Sequence, residues 1–130
     1  AGSMCLLEGV EAWDESSIVC IASSHQDADN PLRCADGLSV LQGLEYGAQA
    51  MAVHGGLLLR EQGEAMSEGY LAALKNVVLH VDWLHDIELL LHVRAERLLA
   101  QGGQFLYEFS MLAGDSVLIE ARATVMPRPA

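Results

Sequence analysis

The chain has 130 residues, 52% of them hydrophobic, with seven Lys and Arg against eighteen Asp and Glu and a formal charge of −11. That size supports one domain with a core of its own, and the charge would repel a phosphate backbone, which argues against nucleic acid as a partner. Cys5, Cys20 and Cys34 leave at least one thiol unpaired and show no C-x-x-C spacing, so reduced cysteines are expected rather than a disulfide framework or a zinc site.

No apolar run approaches the roughly 20 residues of a membrane span, and no signal segment opens the chain. A cytoplasmic protein with no membrane span is expected. Ala1-Gly-Ser-Met4 runs into Cys5-Leu-Leu without a polar lead-in, which reads as a truncated front or the remnant of an expression tag. Two strands come first, Cys5 to Trp13 and Ile18 to Ser24, a hairpin joined through Asp14-Glu15-Ser16-Ser17. Asn30-Pro31 and Asp36-Gly37 then punctuate a loop of about a dozen residues, longer than most connections in a compact domain and therefore a candidate functional segment.

From about Leu38 to Gln62, Leu41, Leu44, Ala48, Met51, Ala52, Leu58 and Leu59 recur at helical spacing, with Gly63 as the stop. Gly43, Gly47, Gly55 and Gly56 each cost that helix roughly 1 kcal/mol relative to Ala, which points to backbone or ligand packed very closely against it. Beyond Ser67 the period becomes two. Leu89, Leu91, Val93 and Ala95 alternate with polar residues, as do Ile119, Ala121, Ala123 and Val125. With Tyr70 to Val81 and Gln104 to Leu112 these make four strands, and Phe105, Tyr107, Phe109 and Met111 share one apolar strand face. The order ββ, long helix, ββββ implies an α+β domain with one antiparallel sheet around one helix. The tail Pro127-Arg-Pro-Ala130 is expected to be disordered.

Within this frame His25 closes an apolar run ahead of the loop, and Glu45 and Gln49 lie one turn apart on the helix, on a common face. His54 is half a turn from that face and is expected at a subunit contact. His80, His85 and His92 form no H-x-x-x-H or H-x-H cluster with carboxylates, so no metal is expected. Cys34 has only Arg33 beside it to lower its pKa, a weak case for a nucleophile.

The order of elements, the Gly- and Ala-rich helix and a His in the loop before it resemble the hot-dog fold, an antiparallel sheet wrapped around one long central helix. His25, Pro31 and Glu45-Tyr-Gly-Ala-Gln49 resemble the 3-hydroxyacyl-acyl-carrier-protein dehydratases over nearly the whole chain. Asn30-Pro-Leu-Arg33 with Gly43-Leu-Glu-Tyr-Gly-Ala-Gln-Ala-Met-Ala-Val-His-Gly56 is closer still to the dehydratase-like subunits of bacterial aryl polyene biosynthesis. Two departures stand out. His25 is followed by Gln26-Asp27-Ala28 rather than Phe-Pro-Gly, with Glu45 twenty positions on, and Val40 replaces a Gly that begins the family helix.

The resemblance implies loss of water from a 3-hydroxyacyl thioester on acyl carrier protein, giving the 2-enoyl thioester with no cofactor. His25 would be the base, because an imidazole exchanges protons near neutral pH. Glu45 would be the acid, kept protonated by burial on an apolar helix, with Asp36 as the fallback acid. The backbone N–H groups of Val40 and Leu41, at the positive end of the helix dipole, would stabilise the enolate oxygen, and Gln49 would hold the Glu45 carboxyl in place. The resemblance also implies a homodimer, or a heteromer with a second hot-dog subunit. An acidic carrier would need a local basic patch on this acidic chain, to which Arg33, Lys75, Arg94, Arg97 and Arg122 could contribute, or positive surface from a partner. Two alternatives stay open: a non-catalytic or half-catalytic subunit of a heteromeric dehydratase, and an acyl thioesterase.

Overall fold

A computed structural model describes residues 5–63 and 70–127 of the chain. The expected front, Ala1 to Met4, and all of the expected disordered tail after Pro127 lie outside the described residues. Six strands and one long helix appear in the expected order: β1 (Gly9–Trp13), β2 (Ser17–Ala22), α1 (Gly43–Glu61), β3 (Tyr70–Leu79), β4 (Leu91–Gln101), β5 (Gln104–Ala113) and β6 (Ser116–Pro127). The strands form a single antiparallel sheet in the order β1-β2-β4-β5-β6-β3, and α1 packs mainly across β4, β2 and β5.

The hairpin between β1 and β2 is set by Asp14, whose Oδ1 accepts the N–H groups of Ser16 at 2.9 Å and Ser17 at 2.8 Å. Those bonds hold its carboxyl below the usual carboxylate range. The first strand is shorter than expected. Residues 5–8 form no strand but cross α1, with Leu6 buried and its N–H donated to Gln49 Oε1 at 2.9 Å.

Cys20, Ala22, Leu91, Val93, Tyr107, Phe109, Met111 and Ile119 carry the core on the helix side of the sheet. The helix meets them with a face only partly expected, for Met51 is buried and Leu44 packs against the core from half-burial while other expected residues do not. Its buried residues are Gly43, Tyr46, Gly47, Ala50, Met51 and His54, whereas Leu41 is 56% exposed and Leu44, Ala48 and Ala52 are half-buried. The glycines are the reason. A Cβ on Gly47 would lie 2.7 Å from the Phe109 ring and one on Gly43 2.3 Å from Ile119, so the bare stripe is what lets the sheet close on the helix. The helix ends at Glu61, with Gln62 as its cap ahead of Gly63 in left-handed conformation, as the sequence indicates.

Candidate active site

His25 sits in a one-turn helix, Ser24–Gln26, directly after β2, and its residue is 0% exposed. Nε2 lies 3.0 Å from the Ile87 carbonyl, which can only accept, so Nε2 carries the proton and Nδ1 the lone pair. Nδ1 is buried and has no hydrogen-bond partner. Burial pushes the ring below the usual histidine range, against an opposing pull from the Ile87 and Leu89 carbonyls and the charge of Asp27. The ring is therefore neutral near pH 7, with a lone pair ready to accept a proton.

The turn is tied to the helix through Tyr46. Its buried hydroxyl lies 2.8 Å from Ser24 Oγ and accepts from Asn30 Nδ2 at 3.1 Å. Asn30 Nδ2 also donates to the Ser24 carbonyl at 2.8 Å, while its Oδ1 accepts the Leu32 N–H at 2.9 Å. On the other side, Arg33 Nη2 reaches the His25 carbonyl at 3.4 Å, and its buried Nε has no partner. Sequence reasoning passed over Tyr46. Its position one residue after Glu45, about 100° around the helix and one residue before the buried Gly47, was the available signal.

The helix entrance is closed by residues 82–87. The Leu38 N–H donates to His85 Nδ1 at 3.0 Å, and Leu84 N–H to the Leu38 carbonyl at 2.8 Å. Gly37, at φ +120°, lies so close under the His85 ring that a Cβ would fall 2.1 Å from it. These bonds bear on the expected oxyanion donors. The Val40 N–H is already donated to the Asp82 carbonyl at 2.9 Å, so it is not free for a substrate; the reason is the strand-like docking of 82–84 against 38–40. Leu41 N–H is bonded only to the exposed Ser39 Oγ at 3.2 Å, a hydroxyl that can rotate away.

Glu45 is exposed, and no hydrogen bond or ion pair involves its side chain among the described residues. The burial expected to keep it protonated is absent from the single chain, because the core draws in the Tyr46 side of the helix instead. Gln49 is half-buried and its Oε1 holds the Leu6 N–H. Asp36 and Cys34 are both exposed on the loop, with Cys34 Sγ 3.3 Å from the Gly37 carbonyl. His54 does not lie at a subunit contact. It is wholly buried within the chain, between the Tyr107 hydroxyl at 2.7 Å and the Asp14 carbonyl at 2.9 Å, polar groups that draw the ring inward. Among the described residues no group of three His, Cys, Asp or Glu could hold a metal ion, and no helix is long and apolar enough to cross a membrane.

A family model described as ApeP-like, ApeP dehydratase, matches residues 1–130. The chain belongs to the ApeP-like dehydratase family. No curated protein matches it significantly. Among solved structures it is similar to the dehydratase heterocomplex ApeI:P from Xenorhabdus doucetiae, with a TM-score of 0.87 and 22% identity over 99% of this chain and 86% of that one. It is also similar to a thioesterase of Staphylococcus aureus (TM-score 0.64, 11% identity, 93% of each chain) and to one of Pseudomonas aeruginosa (TM-score 0.61, 12% identity, 92% of this chain and 81% of that one). At these identities the structural likenesses establish the hot-dog fold, and the family match establishes the dehydratase lineage. In that frame the arrangement offers a neutral buried imidazole with an open acceptor and, on the helix, a carboxylate facing outward.

Proposed function

We propose that this chain is one subunit of a dehydratase acting on 3-hydroxyacyl thioesters delivered by an acyl carrier protein, as in aryl polyene biosynthesis, with His25 as base and Glu45 as acid. The observation that carries this is the tautomer of His25: Nε2–H is spent on the Ile87 carbonyl, leaving the buried Nδ1 as an unused acceptor. Nδ1 takes the α-proton. The C–O bond at the β-carbon then breaks as the Glu45 carboxyl gives its proton to the departing hydroxyl, which leaves as water. Transfer of the proton from Nδ1 back to the Glu45 carboxylate restores the starting state. The Leu41 N–H, released by Ser39, supports the developing enolate oxygen, and exposed Leu41, Trp83 and Leu89 offer apolar surface to an acyl chain.

A carboxyl that donates a proton near neutral pH must be desolvated, and Glu45 is exposed in the single chain. The cover has to come from another subunit. The Glu45 face of α1, with half-buried Ala48 and Ala52 and with exposed Leu41 just before the helix, is suited to receive it, as is the sheet edge β3 with exposed Leu74, Val77, Val78 and Leu79. The relative from Xenorhabdus doucetiae is part of a dehydratase heterocomplex, which favours a second hot-dog chain as that subunit.

The complete burial of the His25 ring supports a second reading, in which the chain contributes Glu45 and the fold to a site whose base belongs to the partner. The test is mass-spectrometric detection of water loss from a carrier-bound 3-hydroxyacyl thioester, using the chain alone and co-purified with a second hot-dog subunit. Loss of dehydration in both His25→Ala and Glu45→Gln supports the proposal. Loss in Glu45→Gln alone supports the second reading, and hydrolysis in place of dehydration, surviving His25→Ala, would identify a thioesterase.

A further inference from the structure

Tyr46 is joined to the residue before His25 by a chain of hydrogen bonds whose direction is fixed. Ser24 has one hydroxyl proton, and its Oγ lies 2.7 Å from the Leu6 carbonyl, which can only accept. The proton between Tyr46 and Ser24 therefore belongs to Tyr46, which donates to Ser24 Oγ and accepts from Asn30. Asn30 spends its second N–H on the Ser24 carbonyl and its Oδ1 on the Leu32 N–H. Leu6 returns the chain to α1 through its N–H on Gln49. Ser24 is thus held twice at its hydroxyl and twice at its carbonyl, which also accepts the Asp27 N–H at 3.1 Å, and no member can turn over without stranding a buried donor.

We infer that Tyr46 is a positioning residue that sets the orientation of the His25 ring, coupling the turn that carries the base to the helix that carries Glu45. The Tyr46 hydroxyl spends its proton on Ser24 Oγ and accepts from Asn30, so it acts through Ser24. With Ser24 fixed, Nε2–H meets the Ile87 carbonyl at 3.0 Å and the buried Nδ1 is left without a partner. This inference rests on His25 as base, but its first readout does not depend on activity.

The experiment is 15N NMR of the histidine ring nitrogens in the full chain, with the His25 signals assigned by their loss in His25→Ala. In the wild type His25 shows the neutral form protonated at Nε2. In Tyr46→Phe, and in Ser24→Ala, the ring signals shift toward a mixture of tautomers, while Ser24→Thr, which keeps the hydroxyl, restores the wild-type pattern. In the active complex Tyr46→Phe lowers kcat by about 10- to 100-fold with little change in KM, the scale on which misplacement of a catalytic group acts. Tyr107→Phe removes another doubly bonded buried hydroxyl and serves as the structural control, leaving the His25 signals in place. A His25 pattern unchanged in both Tyr46→Phe and Ser24→Ala would overturn the inference. If the tautomer shifts but His25→Ala keeps full dehydration, the positioning stands and the assignment of the base fails.

Discussion

Acidification should unfold this protein through two histidines that the fold keeps neutral. His54 lies in a buried chain in which Arg97 Nε–H donates to the Tyr107 oxygen at 3.1 Å, the Tyr107 hydroxyl donates to His54 Nδ1 at 2.7 Å, and Nε2–H donates to the Asp14 carbonyl at 2.9 Å. A second proton on the ring would confront a hydroxyl already aimed at it, beside a guanidinium. Burial pushes His54 below the usual histidine range; the Asp14 carbonyl and carboxylate oppose this and the Arg97 charge adds to it. Burial lowers His25 likewise. In the unfolded chain both rings titrate near about 6.5, so below that pH the unfolded state binds protons that the native state refuses. Their contribution to stability is therefore intact above about pH 6.5 and is lost as the pH falls. Each ring can add a slope of up to about 1.4 kcal/mol per pH unit, together about 2.7. Urea unfolding followed by circular dichroism between pH 7.5 and 5 measures that slope. His54→Gln, which keeps one donor and one acceptor, should remove about half of it. An unchanged slope in that variant, or a native-state His54 titration centred near 6.5, would refute the reasoning.

Three further outcomes follow from the geometry. Glu45→Gln should abolish at least about 99% of dehydration in the active complex, the scale of a lost general acid, while leaving the urea midpoint within about 0.5 kcal/mol of wild type because the side chain is exposed. Gly47→Ala gains roughly 1 kcal/mol of helix propensity but sets a methyl group 2.7 Å from the fully buried Phe109 ring. Overpacking of about 1–3 kcal/mol should win, giving a net loss in chemical denaturation; a variant more stable than wild type would show that the sheet yields. Iodoacetamide should label exposed Cys5 and Cys34 in the native chain and reach Cys20 only after denaturation, since burial pushes the Cys20 thiol up to about 11. Intact-mass measurement counts the adducts.

Much of the fold was legible because strand and helix periods are local properties. The alternations at Leu91 to Ala95 and Ile119 to Val125 and the helical spacing after Leu38 located their elements to within a few residues. What the periods do not encode is pairing across long separations, and so the place of β3 beside β6 at the sheet edge emerged only in three dimensions. Residues 5–8 misled for a related reason. Their apolar composition suits a strand, yet the Leu6 N–H finds its partner in Gln49, 43 residues away. Of the site, the positions of His25 and Glu45 were readable from residue type and order, but the Val40 amide was lost to Asp82, a carbonyl contact that no side-chain pattern announces.

The helix also shows why hydrophobicity alone misassigned its faces. Its leucines were expected to mark the core, but a helix wrapped closely by a twisted sheet must present its smallest side chains to that sheet, and Gly43, Gly47 and Ala50 do so. Tyr46 and Met51 fill the space beside that stripe and Leu44 packs against the core from half-burial, while Leu41, just before the helix, is left exposed on the side of Glu45. An exposed Leu41 beside a carboxylate that needs desolvation to serve as an acid fits a second subunit covering both. The bare stripe that closes the core is thus what leaves the outward face of α1 to complete the site. Replacing exposed Leu41 by Asp should accordingly weaken association with the second subunit in size-exclusion chromatography without lowering the stability of the isolated chain. Association unaffected by that charge would place the partner on another surface.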